Sequence, residues 1–307
     1  MLYIGVDFGG TKIEAAALSA DGTFLSRQRE PNPGSYPAAI RLVRELTARV
    51  ETEAKIKVPE LTGISATIGI GSPGSVSPRT GVMRNANSVY LNGKPFREDL
   101  EQALKRPVRL ANDANCLALS EAIDGAAKGA KSVFAIIVGT GCGGGLVVDG
   151  HLVEGANGVA GEWGHMPLPW PKLNEYPGPK CWCGQHGCLE TWVSGTGFAR
   201  DFEHTTGRAL KGEEIIEAMR AGDRDAVAAF DRLLSRLGRG MAAIVNILDP
   251  DVFVFGGGLS NVPEIYERLP AIIEPYVFSD GWQAQLKPAR WGDSSGVRGA
   301  AYLWREG

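Results

Sequence analysis

The stretch "LYIGVDFGGTKIEAAALSADGTFL", residues 2–25, carries the reading that decides the fold. An apolar strand delivers Asp7, a Gly9-Gly10-Thr11 turn reverses the chain, a second apolar strand follows, and Asp21-Gly22 signals a hairpin turn. The design returns at "VFAIIVGTGCGGGLVVDGHLVEG", residues 133–155, as strand, Gly139-Thr140-Gly141 turn, strand and an Asp149-Gly150 turn. Each unit heads its own half of the chain. Such a turn exposes backbone N–H groups that can cradle a phosphate, and a pair of them suits a nucleotide held between two halves.

Working outward, helices fill the gaps between strands. Ser35 to about Lys57 reads as a helix with a Ser cap, and "GISATIGIG", 63–71, as a strand ending in the "SPGS" turn. Val108 to Ala111 is a short strand running into the helical "NDANCLALSEAIDGAA". Val227, Phe230, Leu234, Leu237, Met241, Ile244, Val245 and Leu248 mark an amphipathic helix. "DVFVFGGGLS" is a buried strand ending in three glycines, another helix follows, and a last helix begins near Val297. The pattern predicts an α/β architecture in two echoing halves.

The 307 residues suit two domains better than one. A net charge of -3 provides no basic field for nucleic acid. No apolar run is long enough to span a membrane, since "SVFAIIVG" is strand-sized, and "MLYIGVDFGG" lacks the charged start of a signal peptide. The expectation is a cytoplasmic, reduced protein, and five cysteines, an odd number, do not suit a disulfide framework. No G-x-x-x-x-G-K-[ST] occurs, so a P-loop is excluded. "GTGCGGG" is followed by a β pattern where a dinucleotide fold needs a helix, and Ile70 takes the first glycine position of a nucleophile elbow at "IGSPG".

Three of the cysteines crowd into "CWCGQHGC", residues 181–188. The Cys181-x-Cys183 spacing is tighter than the C-x-x-C of redox sites, and glycines at 184 and 187 let the backbone fold back so that thiolates converge on one ion. Zinc fits, with a fourth ligand from His186 inside the cluster or His165 upstream; spacing does not choose between them. A zinc ion there pins the Pro-rich stretch from Met166 to Gly187, which otherwise has little to hold it. Polar residues interrupt apolar patterns at Asn112 and Asp113, which also suit a helix N-cap, at Glu162 and His165 in "GEWGH", and at Glu190 in "CLET". Carboxylates, amide and imidazole are what a polyhydroxy ligand needs.

"DFGGTK", "NDANC", "GTGCGGG", "GEWGH", "CWCGQHGC" and "FGGGLS", in order along the whole chain, resemble the ROK family of sugar kinases and repressors. "SPGSVSPRTGVMRNANSVYLNGKPF" looks most like the family's fructokinases with mannokinase activity. The resemblance implies a two-lobed actin-like ATPase (ribonuclease H-like) fold with a nucleotide and sugar cleft between lobes. The implied lobes are 1–113, completed by a C-terminal helix at about 293–307, and 114–292 with the zinc. The implied activity is transfer of the ATP γ-phosphoryl group to a hexose, with fructose expected, mannose second, and glucose or N-acetylglucosamine as the alternative.

The resemblance makes Asp113 the general base and Gly74, Asn87, Asn112, Glu162, His165 and Glu190 the other sugar contacts. Asp7 is the acid near magnesium and the phosphates, acting partly through water. Gly9, Gly10, Thr11 and Lys12 form the first phosphate loop, Thr140, Gly141, Gly143 and Gly144 the second, and Gly256, Gly257 and Gly258 lie near adenosine. Structural zinc falls to His165, Cys181, Cys183 and Cys188, leaving His186 at a variable position. The implied assembly is a homodimer. The family's repressors carry a helix-turn-helix ahead of the first phosphate loop, whereas only four residues precede Gly5 here, which disfavours DNA binding.

Overall fold

The computed structural model describes residues 1–305. In chain order the elements are β1 (Leu2–Phe8), β2 (Lys12–Ser19), β3 (Phe24–Pro31), α1 (Tyr36–Lys57), β4 (Thr67–Ser72), β5 (Ser75–Val76), β6 (Met83–Arg84), α2 (Phe96–Leu104), β7 (Val108–Asn112), α3 (Asp113–Ile123), β8 (Ser132–Val138), β9 (Cys142–Val148) and β10 (His151–Leu152). They continue with α4 (Glu190–Val193), α5 (Gly195–Thr206), α6 (Gly212–Arg220), α7 (Arg224–Leu248), β11 (Val252–Gly256), α8 (Pro263–Ile273), β12 (Gln285–Pro288) and α9 (Ser295–Tyr302).

The echo in the sequence is an echo in topology. One sheet runs β3-β2-β1-β4-β7 and the other β10-β9-β8-β11-β12. β1 pairs antiparallel with β2, Phe8 opposite Ile13, and parallel with β4, Asp7 beside Gly71; β11 lies parallel to both β8 and β12. β11 is buried along its whole length, as expected of a parallel strand covered on both faces. β4 starts at Thr67 rather than at 63, because Gly63 turns the chain at a φ of +86°. Ser35 stands at the N-cap of α1 without a side-chain bond, and a proline in the first turn presets the helical φ instead.

The chain forms two compact units. The first comprises residues 1–129, 145–160 and the chain from Arg290 onward; the second comprises 130–144 and 161–289. The boundary expected at Asp113 thus moves, because α3 stays with the first unit. The reason is α9, which seats against β1, β4 and α3 through bare glycine backbone: a β-carbon on Gly5, Gly69 or Gly299 would stand 1.9, 1.8 or 1.7 Å from a carbonyl oxygen of Val297, Ala300 or Cys116. Residues 145–160 join the same unit, with Gly145 against the Ala114 carbonyl and Arg84 donating to the Asn157 carbonyl. The C-terminal helix spans 295–302 rather than 293–307; Glu306 and Gly307 lie outside the described residues.

In the first unit, Ile4, Val6, Phe8, Ile13 and Ile68 pack with the stripe Val43, Leu46 and Val50 of α1. In the second, Phe134 meets Phe253 and Trp163 edge-on at 6.0 and 5.9 Å. The stretch 166–187 has a stronger hold than the sequence suggested. Glu175 is buried between Arg236 and Arg239 of α7, and the Arg239 guanidinium also donates to the Trp170 carbonyl at 2.6 Å. Among the described residues no helix is long and apolar enough to cross a membrane.

Candidate active site

In the first unit the Gly9–Thr11 turn joins β1 to β2, and Asn32 holds it: its side chain donates to the Gly9 carbonyl at 2.7 Å and its backbone N–H to the Thr11 carbonyl at 2.9 Å. Gly10 is exposed, and a β-carbon there would meet only Ser88 Oγ, at 3.7 Å. Asp7, at the end of β1, has its carboxyl pushed up to about 6 by burial, then by the nearby Asp113 and Glu14; Lys12 and Arg29 pull the other way. A buried carboxyl crowded by carboxylates beside an open glycine turn fits a magnesium–phosphate group, which brings its own positive charge.

Asn112 and Asp113 stand where β7 becomes α3. The Asn112 Oδ1 caps α3 by accepting the Asn115 N–H at 2.7 Å, and the residue also lines a 650 Å³ cavity with Gly74 and Ser72. Asp113 accepts the Ala114 N–H through Oδ1 at 2.8 Å, and its carboxyl is raised by the protein packed around it although the residue keeps an open side to solvent. Gly74 sits at a φ of +74° under the β5–β6 hairpin, where a β-carbon would strike the Arg84 carbonyl at 2.3 Å. Asn87 is an exposed bend residue. Its loop is closed by Asn92, whose amide bridges the Ala86 N–H and carbonyl at 2.9 and 3.0 Å.

In the second unit the corresponding glycine turn is short. It comprises Gly139, Thr140 and Gly141, while Gly143 and Gly144 lie inside β9. The Gly143 carbonyl accepts from Trp163 Nε1 at 3.0 Å, and a β-carbon on Gly144 would stand 2.7 Å from the same indole. The turn is buttressed from α5, with Gly195 N–H donating to Gly139 O at 2.7 Å and Thr196 Oγ1 to Thr140 O at 3.0 Å. Gly256 ends β11. Gly257, at a φ of +77°, comes so close to β8 that a β-carbon would be 2.5 Å from the Val138 carbonyl, and Gly258 faces open space. A 1280 Å³ cavity runs along Gly139, Thr140, Thr196, Lys211 and Gly258.

Glu162 and His165 flank a single helical turn, and Glu190 opens α4. Glu190 accepts the Cys142 N–H at 3.0 Å and the Trp182 indole N–H at 2.8 Å. His165 Nδ1 is 3.6 Å from Cys181 Sγ, Cys183 Sγ is 3.6 Å from Cys188 Sγ, and the four ligand atoms lie within 4.8 Å of one another. A tetrahedral zinc ion sets sulfurs about 3.8 Å apart and a sulfur–nitrogen pair about 3.5 Å apart, so the cluster fits one. Burial and its two sulfur neighbours push the Cys188 thiol up to about 12, a cost that a divalent cation relieves. His186 is exposed on the turn and outside the cluster.

The ROK family profile matches residues 3–307. The chain belongs to the ROK family. This ROK protein is 39% identical over 307 residues to the N-acetyl-D-glucosamine kinase of Pectobacterium atrosepticum, covering 98% of each chain. Its fold matches the ROK hexokinase from Thermus thermophilus with a TM-score of 0.85 at 36% identity, over 98% of this chain and 97% of that one. It also matches a ROK family glucokinase from Streptomyces griseus, in complex with glucose and AMPPNP, with a TM-score of 0.77 at 30% identity over the whole of both chains. The α/β fold of actin-like type read from the sequence is thus established.

The leaning towards fructokinases is corrected by the Pectobacterium relative. It rested on residues 72–96, within which the Asn92 amide closes the loop on its own backbone. Asn32, Asn92 and Thr196 escaped the sequence reading. Asn32 and Thr196 act on backbone more than 20 positions away, whereas Asn92 acts six positions back, where the asparagine-rich composition of 85–92 hinted at loop closure.

Proposed function

We propose that this ROK protein transfers the γ-phosphoryl group of ATP to a hydroxyl of N-acetyl-D-glucosamine. The observation that carries the substrate is the 37–39% identity, over 98% of the chain, to relatives named N-acetyl-D-glucosamine kinases. The geometry supports the reaction. Asp113 spends Oδ1 on its own helix and keeps Oδ2 for a sugar hydroxyl, and its raised affinity for protons suits a general base. Gly139–Gly141 and Gly258, opening on the larger cavity, suit the nucleotide; Gly9–Lys12 suit the transferred phosphate. Magnesium, bound with ATP, supplies neutralisation of phosphate charge, and Asp7 is the residue that would face it.

His165, Cys181, Cys183 and Cys188 would hold a structural zinc; all four positions are filled by protein, so the metal activates no water. The test is product analysis. Purified protein with ATP, magnesium and N-acetyl-D-glucosamine should form phosphosugar and ADP in equal amounts. ADP without phosphosugar makes the protein an ATPase and overturns the reading.

A further inference from the structure

The C-x-C spacing of the cysteine cluster says nothing about the residue between the ligands, yet here that residue is tryptophan. Trp182 is 65% exposed, so the core does not explain it. It makes two directed contacts. Its indole N–H donates to Glu190 Oε1 at 2.8 Å, and its ring stands edge-on to His165, centroids 4.9 Å apart at 84°. The other oxygen of Glu190 accepts the Cys142 N–H at 3.0 Å, directly after the Gly139–Gly141 turn, and lies 2.9 Å from where a β-carbon on Gly141 would be.

We propose that Trp182 is a positioning residue: by fixing Glu190, it ties the cysteine loop to the phosphate turn. A carboxylate at the start of a four-residue helix has little else to stop it rotating. Donors from two separate segments, one on each oxygen, hold it in one orientation and leave its remaining lone pairs free for a ligand hydroxyl. Through Cys142 the same carboxylate holds the end of the turn that frames the larger cavity. The flanking ligands, Cys181 and Cys183, fix the backbone from which the indole projects. The links from Glu190 to the sugar and of the turn to a nucleotide rest on the function proposed above; the tie between Glu190 and the turn rests on the hydrogen bonds.

The test is Trp182→Phe, which keeps the ring against His165 and removes the donor. Binding of a non-hydrolysable ATP analogue, measured by calorimetry without sugar, should weaken about 3- to 10-fold, and sugar KM should rise by a similar factor with a smaller change in kcat. Zinc content and thermal midpoint should stay as in the parent. In a Glu190→Gln background the Trp182→Phe effect should shrink to within about twofold, since the two residues act as one unit. Unchanged nucleotide affinity and sugar KM in Trp182→Phe, or full additivity with Glu190→Gln, overturns the proposal. If the parent binds nucleotide but phosphorylates no sugar, the function above fails while the nucleotide arm still decides the role of Trp182; if the parent binds no nucleotide, both fail.

Discussion

Arg239 grips Glu175 with a forked pair of hydrogen bonds, each terminal nitrogen 2.9 Å from one carboxylate oxygen. Arg236 adds a third bond at 2.9 Å, and all three side chains are buried. Removing the carboxylate leaves Arg239 buried without a counter-charge and Arg236 with Asp201 alone, 2.8 Å away. Glu175→Ala should cost about 3–5 kcal/mol, read from urea unfolding. The paired guanidinium groups outweigh burial and hold the Glu175 carboxyl down at about 2. Its contribution is therefore complete above the ordinary Glu range and is lost as pH falls towards 2, so the gap between parent and variant should narrow over that window.

The cysteine cluster makes a separable prediction. Metal analysis of the purified protein should give about one zinc per chain. Cys183→Ser and His165→Ala should lose it, whereas His186→Ala, exposed and outside the cluster, should keep zinc and activity. Because Glu175 and the Leu168 N–H bond to Gly187 O anchor the same stretch, zinc loss should loosen residues 181–190 without unfolding the second unit.

What was legible in the sequence follows from how local the cause is. The two strand–turn–strand units were readable because apolar runs, Gly turns and Asp-Gly hairpins act within a few residues. That Gly144 packs against the Trp163 ring was not legible, because a glycine demanded by a turn and one demanded by a ring look alike in sequence. The unit boundary was missed for the same reason: the close approach of Gly299 to Cys116 brings together residues 183 positions apart. The Glu175 anchor joins partners more than 60 positions apart, and no pattern announces it. The N-cap role of Asn112 was legible, since a capping amide and the helix it starts are adjacent in sequence.

Asp7 holds its proton up to about pH 6, against 3.8 for an ordinary Asp, chiefly through burial. With the folded value raised, the penalty on stability is absent below the ordinary value and grows as pH rises through 6. Asp7→Asn should thus raise stability at pH 7–8 by up to about 3 kcal/mol, with the gain vanishing below about pH 4. The same variant should bind Mg-ATP poorly. Paired urea titrations at pH 4 and 8 check the sign.

For Asp113, the amide of Asp113→Asn keeps the Oδ1 bond to the Ala114 N–H but cannot take a proton. Turnover should fall about 10²- to 10⁴-fold. Sugar affinity, measured by calorimetry, should change less than about threefold, because the shape of the site is kept. Near-normal kcat would reject Asp113 as the base.

The most direct test of the central claim is kcat/KM at saturating ATP for N-acetyl-D-glucosamine, glucose, fructose, mannose and N-acetylmannosamine with the purified protein. N-acetyl-D-glucosamine should exceed every other sugar by at least about tenfold, roughly 1.4 kcal/mol of transition-state discrimination. Fructose or glucose at or above N-acetyl-D-glucosamine would contradict it.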